Sequence, residues 1–133
     1  MKKILPSAML SGAALIFGIG AILHAYAYWS KVRVRIDTSN LPPFLAAELK
    51  VLWLADSTTL MALTIIFGSI VTKRVAATRE VIILLALVPA GTTLLLYFLL
   101  GSFYAAHLLA AATVMVVIAG LTMPLTSQTV EHV

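Results

Sequence analysis

A chain of 133 residues that is 62% apolar and 11% charged, with a mean hydropathy of +1.07, has too little polar surface to cover a water-facing globule. Its net charge of +4 comes from nine Lys and Arg against five Asp and Glu; these cations flank apolar runs and form no continuous basic face interleaved with aromatics, which excludes a nucleic-acid interface. The lack of cysteine excludes disulfides, thiolate metal ligands, iron–sulfur clusters and covalently attached haem.

The expected fold is an all-α membrane protein. A single domain spans residues 1–133, with four transmembrane helices at about 5–30, 43–72, 80–100 and 103–123 in an antiparallel bundle. Each apolar run is near the ~20 residues that cross a ~30 Å hydrocarbon core at ~1.5 Å per residue. The longest connection, about 30–44, is too short to build a separate soluble core.

The first run follows Met1, Lys2 and Lys3 and resembles a secretory signal ending at Ala25, Tyr26 and Ala27, yet it exceeds the ~7–15 apolar residues such segments use. It is read as a retained helix. Ser7, Ser11, Ala14, Gly18, Ala21 and Ala25 recur at four-three spacing, a stripe on which a neighbouring helix can pack closely. His24 stands beside that stripe. From Lys31 to Asp37, charges alternate with β-branched residues, which predicts an extended segment along the interface. Thr38, Ser39 and Asn40 offer caps for the second helix, and Pro42 and Pro43 suit its first turn.

Inside the second helix come Asp56, Ser57, Thr58 and Thr59. Hydroxyls can bond back to carbonyls one turn earlier, whereas an aspartate at the centre of a spanning helix costs about 2.5–3.5 kcal/mol on insertion scales. Asp56 is therefore the strongest candidate for a proton, ion or ligand site. In the third helix Pro89 removes a backbone bond and predicts a kink. Gly101 and Ser102 force a tight hairpin to the fourth helix, and the tail from Pro124 is polar.

Because direction reverses at each loop, His24, Asp56 and His107 share one leaflet, about 9, 12 and 7.5 Å from their helix ends. They are expected to line one polar pocket, with Thr59 and Tyr97 as further ligand or proton-binding residues and Tyr26, Trp53 and Tyr104 at similar height as interfacial belt residues. The functional expectation is a small transporter-like membrane protein that binds an amphipathic ligand, a lipid or a proton. The alternatives are an accessory or scaffold subunit and a membrane-embedded enzyme or redox carrier with metal or haem. No catalytic residue and no resident cofactor are assigned. A purely structural role remains open, in which Asp56 is satisfied by a histidine alone.

Expected partners are membrane lipid and, through the small-residue stripe, a second copy or another protein's helix. Lys2, Lys3, Lys73, Arg74 and Arg79 on one side outnumber Lys31, Arg33 and Arg35 on the other, so the termini are expected in the cytoplasm, in a bacterial inner membrane. In size and layout the chain resembles the small multidrug resistance transporters. Their first-helix glutamate has no counterpart here, where the first helix holds no carboxylate, so the likeness is one of architecture and carries no site residue. Four-helix sterol-isomerase-like domains also gather acids, histidine and tryptophan in one leaflet, but no motif of theirs stands in this chain.

Overall fold

The computed structural model describes residues 4–123, so the Lys2 and Lys3 start and the tail from Pro124 lie outside the described residues. It is all-helical, with no strand among them. Four helices are long and apolar enough to cross a membrane: α1 (Ile4–Asp37), α2 (Pro43–Val71), α3 (Arg79–Leu100) and α4 (Tyr104–Thr122).

The segment expected to be extended is helical. α1 runs on through a wider turn at Tyr28–Val32, closed by the bond from Arg33 N–H to the Tyr28 carbonyl five residues back, and ends in regular helix at Arg33–Asp37. Helical spacing explains the reversal: Arg33 lies 5.3 Å from the Trp29 ring and its Nε is 3.7 Å from Asp37, both four residues away. Lys50 of α2 also donates to Asp37. That bond, aided by the charges of Lys50 and Arg33, holds the Asp37 carboxyl below the usual carboxylate range in this extension beyond the apolar run.

The capping expectation also changes. Thr38 and Ser39 bond backwards to the Val34 and Ile36 carbonyls (2.9 and 2.6 Å), closing α1, while α2 starts at Pro43 behind Pro42 with no side-chain cap. Pro fits there because its missing N–H would be unpaired in the first turn anyway. α3 is capped by Thr78 and continues through Pro89. Gly101, at φ +76°, supplies the left-handed turn into α4.

α1 packs against α2 and α4, and α3 packs against α4. Phe17 stacks on Phe67 at 5.9 Å, and His24 meets Trp53, Asp56 and Ser57, so α1 and α2 touch in opposite chain order. The dry core gathers Leu10, Ala13 and Phe17 of α1, Leu63 and Phe67 of α2, Ile82 and Ala86 of α3, and Ala112, Val116 and Ala119 of α4. All of these lie in the half away from His24. Close approach there depends on small residues: a Cβ on Gly18 would stand 3.2 Å from Thr64 Cγ2. Gly18→Leu is expected to lower stability by about 1–3 kcal/mol through overpacking, read as a lower thermal midpoint in detergent.

Candidate functional site

Above the core, α1 and α2 are joined by four side chains. His24 Nδ1 is 2.9 Å from Ser57 Oγ, and His24 Nε2 is 3.4 Å from Asp56 Oδ2. The imidazole lies flat on the Trp53 indole, with centroids 4.2 Å apart and planes 11° from parallel, while Trp53 Nε1–H donates to the His24 carbonyl at 2.9 Å. Ser57 Oγ–H can also donate to the Trp53 carbonyl at 3.3 Å. Trp53 and Ser57 are one helical turn apart, which aims both at α1; Asp56 is rotated about 100° from Ser57.

Leu63 and Phe67, seven and eleven residues beyond Asp56, share its azimuth within ~20° and are both buried. Asp56 thus stands on the core-facing flank of α2, one level above the point where the dry core ends. Side-chain exposures of 26% for His24 and 38% for Asp56 leave the pair open to exchange with its surroundings.

Two protonation states fit this geometry. With a neutral ring, Ser57 O–H donates to Nδ1 and Nε2–H faces the Asp56 carboxylate. With the ring protonated, Nδ1–H donates to Ser57 Oγ, the hydroxyl turns to the Trp53 carbonyl, and the imidazolium faces both the carboxylate and the indole π-face. The hydroxyl rotor lets Ser57 partner Nδ1 in both forms. No buried side-chain polar atom is left unpartnered among the described residues.

His107 belongs to a different cluster. Its Nδ1 is 2.6 Å from Tyr97 Oη and its Nε2 is 3.0 Å from Ser102 Oγ, which ties α3 to α4 across their hairpin. No hydrogen bond or ion pair connects His107 to His24 or Asp56, and among the described residues no three His, Asp or Glu side chains are grouped to hold a metal ion. The three residues expected in one pocket are therefore found in two clusters at the same end of the helices. Thr59 bonds back to the Ala55 carbonyl (2.9 Å) and is exposed, outside both.

Trp53 and Ser57 are the members that sequence reasoning missed. Trp53 reads as an interfacial belt residue and Ser57 as a self-satisfied hydroxyl; the spacing Trp53, Asp56, Ser57 is the signal that all three share one side of α2. Tyr26 and Tyr104 are exposed.

The class defined so far is an all-helical chain with four helices of membrane-crossing length and a His–Asp–Ser–Trp cluster between the first two. No protein-family model, curated protein or solved structure matches it.

Proposed function

We propose that this chain is a small integral membrane protein, its four helices spanning the bilayer as an antiparallel bundle, and that the His24–Asp56 site reversibly takes up a proton in a transporter-like role. The observation that carries this reading is the setting of one imidazole, whose Nδ1 meets a hydroxyl that can donate or accept while its Nε2 faces the Asp56 carboxylate at 3.4 Å. Histidine changes charge between about pH 5 and 8, so a ring satisfied in both forms can cycle without unfolding its surroundings. An ionisable pair between spanning helices is costly unless paired, and such pairs commonly mark proton or ion paths.

Supporting the one-sided character of the site, the apolar side chains of all four helices close the half below it, while Asp56 and His24 stay partly exposed above. His107, Tyr97 and Ser102 then act as a hairpin clip and take no part in the proton step. In this reading both termini lie in the cytoplasm of a bacterial cell, with the site toward the outer leaflet; the excess of Lys and Arg on the side of the termini supports that orientation.

A pH-indicator measurement on the purified protein tests this directly. Wild type is expected to take up close to one proton per chain between about pH 8 and 5 beyond the uptake of His24→Ala. Equal uptake by the two proteins would leave His24 as a helix clasp only. Retention in the membrane after an alkaline wash tests the spanning reading separately.

A further inference from the structure

Two shallow furrows follow the seam between α1 and α2. The upper, about 430 Å³, passes between Ile22 of α1 and Leu54 and Met61 of α2. The lower, about 320 Å³, passes between Ala14 and Leu15 of α1 and Thr64, Gly68 and Val71 of α2, and closes at Thr72. Leu15 and Ile22 are seven residues apart, as are Leu54, Met61 and Gly68, so both furrows open on the same flank of the seam.

The lower furrow has a charged mouth. From Thr64 to Thr72 it extends ~12 Å along α2, close to the ~15 Å of one leaflet in a ~30 Å core. Directly beyond Thr72 come Lys73 and Arg74, both exposed and without an ion pair among the described residues. Lys73 takes φ +58° and Arg74 N–H bonds back to the Ser69 carbonyl at 2.9 Å, so the chain turns sharply and keeps both cations at the furrow end.

We infer that the lower furrow holds one acyl chain of an anionic phospholipid whose phosphate lies against Lys73 and Arg74. The apolar walls suit the chain, and the unpaired cations at membrane-surface height suit the phosphate. A second copy packed in parallel would instead bring Lys73 and Arg74 against their own counterparts. This inference rests on the membrane-spanning reading and is independent of the proton step at His24.

Gly68 allows a clean test, because a Cβ built there meets nothing within 4 Å, so a leucine can fill the furrow without displacing the fold. Gly91 is equally open and exposed on α3, away from the furrow, and serves as the control. Each protein is exposed to mixed phosphatidylglycerol and phosphatidylcholine with matched chains, and retained lipid is counted by native mass spectrometry. Wild type and Gly91→Leu are expected to retain phosphatidylglycerol over phosphatidylcholine by roughly thirtyfold, as two surface cations provide. Gly68→Leu should lose most retention of either lipid. Lys73→Gln with Arg74→Gln should lose the headgroup preference.

Equal retention of the two lipids by wild type, or undiminished retention by Gly68→Leu, would overturn the inference. So would a wild-type dimer in detergent that Gly68→Leu converts to monomer, since a second copy would then be the occupant. Proton uptake and resistance to alkaline extraction, measured on the same variants, keep a failure here distinct from a failure of the membrane reading.

Discussion

Asp56→Asn is expected to weaken proton uptake, moving it to lower pH by up to about one unit, while leaving the thermal midpoint in detergent close to that of wild type. Asparagine keeps the side-chain volume and can still bond to His24 Nε2, but it has no charge to face an imidazolium and cannot itself exchange a proton. The Nε2–Oδ2 distance of 3.4 Å is long for a strong charge-assisted bond, and the pair is partly exposed. The lost structural contribution is therefore on the order of 1 kcal/mol or less. A purely structural pair gives the opposite pattern, with reduced stability and no specific loss of uptake. Tyr97→Phe, which removes the 2.6 Å partner of His107, should leave uptake unchanged, since that histidine lies in the other cluster.

Phe67→Ala should produce the largest loss of stability. Phe67 is 0% exposed and stacks on Phe17 at the centre of the dry core, where α1 and α2 meet. In lipid the unfolded reference is as apolar as the core, so the loss comes from vacated space and broken dispersion contacts and not from transfer out of water. The expected cost is about 3 kcal/mol, the low end of the range for buried phenylalanine. Thermal unfolding in detergent measures it. A shift no larger than that of an exposed position such as Phe98→Ala would mean that the Phe17–Phe67 contact does not hold the helices together.

Helix number and boundaries were legible because each apolar run is long and ends at Pro, Gly or a cluster of charges. Pro42 and Pro43, Gly101, and the Lys73 and Arg74 pair stand at such ends. The misread segment was Lys31–Asp37, where alternation of charge with β-branched residues imitates a strand, while the contacts that keep it helical are four residues apart and pair Arg33 with Trp29 and Asp37. Local contacts at helical spacing overrode the strand-like alternation.

The pairing of His24 with Asp56 was legible in outline, since both lie at matched depth on helices joined by one loop. Depth along a helix says nothing about azimuth, which decides the partners that each of these side chains meets. His107 turns to Tyr97 and Ser102, its own neighbours across the hairpin, which satisfy both ring nitrogens locally before any distant helix is involved. Ser57 was hidden for the same reason: a hydroxyl that bonds back to its own helix gives no sign in the sequence that it also reaches His24.

The central claim is that one imidazole, His24, is accommodated in two protonation states between Ser57 and Asp56. Nitrogen NMR of ¹⁵N-histidine-labelled protein in lipid, with His24 assigned by its absence from His24→Ala, tests it most directly, because the shifts of Nδ1 and Nε2 distinguish each neutral tautomer from the doubly protonated ring. The account predicts a neutral ring at high pH and a doubly protonated ring at low pH, interconverting within about pH 5 to 8 while the protein stays folded. A single neutral tautomer throughout that range, or a change of state only on unfolding, would contradict it.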